Sequence, residues 1–230
     1  MKLRLVTRAL PTMALVALAT AAIGTASAWA APEWYVAGSP LSAKPAQGGL
    51  GAKEESVSTT VSPVTLKVPG AKITISCQQT SLTQAKIVAG GTGSAAAISF
   101  KQCAVTEPSQ CVVAKTITTG HVNSALFAVN SGEIWNQYSP VGGKTEPFAM
   151  ITIGECSIEG TYSFNGTVCA RETSPLLETL TKEEVFGGAP EGKGAPECAA
   201  RFFGANAAVL SGTLGLSLSG ARSGANWTGR

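Results

Sequence analysis

Between Ile73 and Val113 apolar and polar residues alternate in two runs, Ile73-Thr-Ile-Ser-Cys77 and Ile98-Ser-Phe-Lys-Gln-Cys103, with Cys111-Val-Val close behind. Alternation at period two predicts half-buried strands. The same pattern predicts strands at Trp34–Val36, Val57–Val61, Val64–Val68, 86–88, 95–105, 111–119, 121–129 and 147–153, and near the end at Leu214, Leu216 and Leu218. Glu159 to Ala170 alternates well, although Asn165-Gly166 is also a hairpin-turn signal. Gly90-Gly-Thr-Gly93 reads as a tight turn, with no lysine or helix after it to make an anion cradle. Ser174-Pro175, followed by Leu176, Leu177, Leu180, Val185 and Phe186, is the one helix candidate, capped by the serine and ended by Gly187-Gly188. The same residues also read as strand. The predicted fold is all-β: an antiparallel sandwich or barrel of about ten strands, with at most one short helix.

The first 30 residues follow a different rule. A basic start (Lys2, Arg4, Arg8) precedes an alanine-rich apolar run and the small-x-small sites Ala26-Ser-Ala28 and Ala28-Trp-Ala30. This is the layout of a secretory signal peptide, 1–30, leaving 31–230 as one secreted β domain with no membrane span. Removing it takes away three of the 17 basic residues, so the remaining 14 balance 14 acidic ones and the net charge of +3 disappears. A neutral domain offers no electrostatic footprint for nucleic acid.

All 14 acidic residues are glutamates, and the sole histidine is His121. A chain without aspartate has no Ser-His-Asp triad and no Asp-rich calcium loop. One histidine makes no two-histidine zinc site, and the cysteines lack C-x-x-C spacing. Gly142-Gly-Lys144-Thr145 lacks the first glycine of a phosphate loop. No cofactor, metal or catalytic residue is expected. Trp34 and Trp135 are the candidate ligand-contact aromatics; general burial tendency favours a core role for Trp34 instead. Glu133, Glu146, Glu155 and Glu159 lie nearest to aromatic or strand residues, and glycosidic cleavage needs only a pair of carboxyls.

Six cysteines in an exported chain read as three disulfides, with 15 pairings open. Cys103 and Cys111 flank the turn-forming Thr106-Glu-Pro-Ser109, and are expected to face each other across a hairpin.

Several motifs recur in a fixed order: Trp34-Tyr-Val-x-Gly38, Ile75-x-Cys77, the Gly-Gly-Thr-Gly run, Ile98-x-Phe-x-x-Cys103, Cys111-x-Val113, Ile117-x-Thr119, Gly187-Gly188, Leu214-x-Leu216-x-Leu218-Ser-Gly220 and Trp227. The chain resembles a large group of exported, cysteine-containing β-rich proteins of high-GC actinobacteria, a group with no known function. The resemblance implies a bacterial source and an envelope or extracellular address, and it transfers no functional residue. Cys169 and Cys198 are extra relative to that group, which implies that they pair with each other; the remaining expected pair is Cys77 with Cys156. The function expected is a non-enzymatic structural, adhesive or binding role, with a cell-wall polymer or a surface protein as partner. A glutamate-dependent carbohydrate-active enzyme and a small-ligand-binding barrel are the alternatives.

Overall fold

The computed structural model describes residues 31–41, 54–60, 62–129, 132–190, 195, 197–204 and 206–230. The expected signal peptide, 1–30, and most of the polar loop before Glu54 lie outside the described residues.

In chain order the described strands begin with β1 (Trp34–Val36), β2 (Ser39–Pro40), β3 (Glu54–Thr59), β4 (Val64–Val68), β5 (Ile73–Thr83), β6 (Ala85–Val88), β7 (Thr92–Ala95), β8 (Ala97–Glu107), β9 (Val112–Val113) and β10 (Thr116–Thr118). They continue with β11 (Val122–Ala128), β12 (Ile134–Pro140), β13 (Ala149–Gly154), β14 (Gly160–Gly166), β15 (Val168–Glu172), β16 (Thr181–Phe186), β17 (Ala200–Arg201), β18 (Ala207–Ser219) and β19 (Trp227–Gly229). The only helical pieces among the described residues are short 3-10 turns at Pro69–Ala71, Gly143–Thr145 and Gly220–Arg222.

The antiparallel pairings close an eight-stranded barrel in the order β3-β6-β7-β11-β12-β15-β16-β18, with β18 returning to β3. Of the two expected architectures, sandwich or barrel, the chain forms the barrel. The other strands wrap into a second ring, β18-β4-β5-β8-β10-β13-β14-β17, closed between β10 and β13 by the single bridge Thr119–Ala149. The rings share β18. Gly212 is the pivot: it pairs with Val64 in one ring and Phe186 in the other, at φ +141°, with Val64 Cα 3.0 Å from where a Cβ would stand. A side chain there would strain the backbone and strike β4.

The second ring has an apolar interior, with Val64, Leu66, Ile75, Phe100, Ile117, Ile151, Phe164 and Leu210 packed around a space of only about 20 Å³. This is the core that the alternation of Ile73–Cys77 and Ile98–Cys103 predicts. The first barrel is stoppered at one end by a ribbon of β2, β1 and β19, which joins the first and last described segments. Trp34 and Trp227 are 1% and 0% exposed, their rings 5.6 Å apart, and Trp34 Nε1–H donates to the Thr92 carbonyl at 2.8 Å. The ribbon approaches so closely that a side chain at Gly91 would collide with the Pro32 carbonyl.

All six cysteines are in disulfides: Cys77–Cys103, Cys111–Cys156 and Cys169–Cys198. The third is as expected. The expected Cys103–Cys111 and Cys77–Cys156 pairs are corrected, for a reason of topology. Cys103 lies directly opposite Cys77 in the β5–β8 ladder. The chain after Pro108 does not fold straight back on β8; β9 pairs with β13, and this carries Cys111 to Cys156 just past the end of β13.

Two other readings are refined. The strand expected over 159–170 is broken at Thr167, but the two halves do not form a hairpin. β14 pairs with β13 and β17 in one ring, and β15 with β12 and β16 in the other. The helix candidate resolves into a loop, 173–180, and strand β16.

Candidate functional site

The interior of the first barrel is not uniformly apolar. Strands β12, β15 and β16 turn Asn136, Tyr138, Glu172, Lys182 and Glu184 inward, and β19 adds Thr228. Period two puts Lys182, Glu184 and Phe186 on one face of β16, and Glu172 lies opposite Glu184 across the β15–β16 ladder. Lys182 and Glu184 are each 1% exposed and Glu172 3%.

The groups hold one another. Tyr138 Oη–H donates a short bond to Glu184 Oε2, and Asn136 Nδ2 donates to Glu184 Oε1 at 2.9 Å. Lys182 Nζ donates to the backbone carbonyl of Ser174, to that of Leu177 at 3.2 Å and to Thr228 Oγ1 at 3.2 Å. Thr228 Oγ1–H in turn donates to the Pro175 carbonyl at 2.8 Å. Glu172 takes a backbone N–H from Gly229, while its Oε2, 3.7 Å from Lys182 Nζ, has no hydrogen-bond partner. That separation is an ion-pair distance but too long for a hydrogen bond.

Burial sets the protonation of this cluster. Glu172 is pushed up to about 8, first by loss of water and then by the charge of Glu184, with Lys182 and the Gly229 N–H pulling the other way. Glu184 rises to about 7 by burial, against the bonds from Tyr138 and Asn136. Burial lowers Lys182, and burial followed by the charge of Glu184 lifts Tyr138 well above the phenol range. Two carboxyls share one ammonium, so a carboxyl proton is the cheapest way to balance the buried charge.

The sign of the pH dependence follows. Between the ordinary carboxyl range and about pH 8 the folded state binds more protons than the unfolded one, so these groups stabilise the fold most at low pH and lose that contribution as pH rises through about 7 to 8. Thermal melts of the oxidised domain should therefore give a melting temperature at least about 5 °C lower at pH 9 than at pH 5.5. A flat profile over that range would mean that the carboxyls are already ionised when the fold forms.

The arrangement positions backbone, and its charged side chains are buried from solvent. The space beside Asn136 and Tyr138 is about 30 Å³, room for a water or so. On the outside, by contrast, the loop whose carbonyls Lys182 and Thr228 hold displays Leu176, Leu177 and Leu180 at 72%, 66% and 56% exposure.

The structure buries both candidate aromatics. Trp34 is part of the stopper, and Trp135, 6% exposed, packs with Val129, Cys169 and Cys198 on the outer face of β12 and donates Nε1–H to Glu133 at 3.1 Å. Neither ring offers a free face to a ligand. Two of the four nominated glutamates are engaged locally, Glu133 with Trp135 and Arg171 and Glu146 with the Gly142 N–H, while Glu155 and Glu159 are exposed on either side of Cys156. His121 is exposed beside an open depression bordered by Glu54, Lys86 and Val141.

The sequence reading passed over Glu172, Lys182 and Glu184. The signal was present as the alternation in Thr181-Lys-Glu-Glu-Val-Phe186. Both faces of that strand carry a charge and an apolar residue, so the pattern does not say which face turns inward.

No protein-family model matches the chain, and no curated protein or solved structure matches it either.

Proposed function

We propose that this is an exported, non-enzymatic binding protein of the cell surface that docks an apolar groove on a partner protein through the 173–180 loop. The carrying observation is the trio Leu176, Leu177 and Leu180, exposed together on a loop whose backbone is tied from inside by Lys182 and Thr228. Grouped aliphatic side chains on a held backbone are what an interface core requires, because little ordering entropy remains to be lost on binding. The chemistry of the loop favours a protein partner. It presents no aromatic face for sugar stacking, and its only charge is Glu178, so nothing on it attracts an anionic membrane. Three disulfides fit an oxidising address. Interior spaces of about 20 and 30 Å³ give the ligand-carrier alternative little room, since small-molecule sites run to about 300 Å³ or more.

The test is sedimentation of the oxidised domain with envelope fractions, with and without prior protease treatment, while the supernatant is assayed for released sugar. The reading predicts saturable pelleting that protease abolishes, no sugar release, and at least about a tenfold loss of affinity in the triple variant Leu176→Ser, Leu177→Ser, Leu180→Ser. Equal pelleting of the triple variant would overturn it, and released sugar would turn attention to the glutamates.

A further inference from the structure

The hydrogens of Lys182 are fully committed. An ammonium has three, and they go to the Ser174 carbonyl, the Leu177 carbonyl and Thr228 Oγ1. Two of these acceptors are backbone of the leucine loop, and the third, Thr228, holds the loop again at Pro175. Glu172 Oε2 is a further acceptor close by, buried, unbonded and 3.7 Å away. If Glu172 carries a proton it does not compete for the ammonium. Once ionised, it is the strongest acceptor in reach, because a charge-assisted bond outweighs one to a neutral carbonyl. Lys182 has no spare hydrogen, so a bond to Glu172 is made at the expense of one it already holds.

We propose that the Glu172–Lys182 pair is a proton-operated latch on the leucine loop: a protonated Glu172 leaves Lys182 holding the loop, and an ionised Glu172 draws it away. Glu172 loses its proton to solvent, and Nζ exchanges a loop carbonyl for Oε2; no covalent bond changes. The proposal rests on the reading of the loop as the contact surface and supplies its regulation. Lys182 is a positioning residue in this scheme.

The other groups around Lys182 set the balance without replacing the latch. On β16 itself Glu184 is tied by Tyr138 and Asn136 of β12, so its oxygens are already bonded. β18 faces Lys182 with Leu216, and β19 contributes only Thr228. In the loop, Glu178 turns outward to the Gly38 N–H at 2.8 Å and to Arg230 at 4.0 Å. Glu55 of β3 is paired with Arg222 at 3.5 Å.

Hydrogen exchange of the oxidised protein, corrected for the intrinsic effect of pH and compared at pH 6 and pH 9.5, tests this. The amides to follow are those of Leu177 and Thr179, bonded to the Ser174 and Trp227 carbonyls, with β5 amides as the internal reference. The latch predicts about a tenfold or greater loss of protection in the loop at pH 9.5, with β5 unchanged. In Glu172→Gln, which cannot ionise, the loop should stay protected at both pH values. Equal wild-type protection at the two pH values overturns the proposal, as does an undiminished pH effect in Glu172→Gln. If that variant does not fold, the wild-type comparison decides alone. No partner enters this readout, so its failure would leave the leucine-loop reading standing, and loss of partner binding would leave the latch standing.

Discussion

Reduction should lower the melting temperature of the domain by tens of degrees. The disulfides close intervals of 26, 45 and 29 residues. For intervals of that size the chain-entropy account assigns about 3.5 to 4 kcal/mol each, a sum comparable with the whole stability of an ordinary domain. The bonds also sit where they matter. Cys77–Cys103 ties the two 11-residue strands β5 and β8 of the second ring, Cys111–Cys156 ties the diverted β9 segment to the end of β13, and Cys169–Cys198 fastens the segment that leads from the first barrel to β17. Melts followed by circular dichroism with and without reductant measure this. A melting curve indifferent to reductant would mean that the two rings stand on packing alone.

Lys182→Ala should be the most damaging single substitution of a charged residue. It removes the one cation beside Glu172, and it strands the Ser174 and Leu177 carbonyls together with Thr228. A hydrogen-bond partner left unmet inside the fold costs about 1–3 kcal/mol, so three stranded acceptors amount to about 3 kcal/mol or more, equivalent to a fall of about 10 °C in a domain of this size. The contrast is Lys86, whose 2.7 Å bridge to Glu54 lies between half-exposed side chains. Lys86→Ala should change stability by about 0.5 kcal/mol or less. Parallel thermal melts of the two variants make the comparison, and similar losses from both would show that the Lys182 cluster is hydrated rather than sealed.

The strands that build the second ring were legible because their chemistry is simple. Ile73, Ile75 and Cys77 face a wholly apolar interior, so period two in the sequence maps onto inside and outside. Closure was not legible. Whether a run of alternating strands stops as a sandwich or returns as a barrel depends on which distant strands meet, and β18 meets β3, β4, β16 and β17. The same non-local choice misdirected Cys103 and Cys111, since proximity along the chain suggests a hairpin and the pairing of β9 with β13 overrides it.

The interior cluster was hidden for an opposite reason. Its residues obey the strand period but invert the usual polarity, and Lys182 and Glu184 read as a solvated face until Glu172 and Tyr138 are brought opposite them. Leu176, Leu177 and Leu180 misled in a related way. Their spacing suits a buried helix stripe, yet the segment is held open as a loop by a lysine that follows it in the chain.

The most direct measurement places a photoreactive phenylalanine analogue at position 177 and, separately, at position 141, where Val141 is 54% exposed on a different loop. Each oxidised protein is irradiated on intact envelopes. Protein adducts that form from position 177 and not from 141 are the expected result. Adducts from 141 as abundant as those from 177, or none from either, would contradict the claim that the leucine loop is where this protein meets its partner.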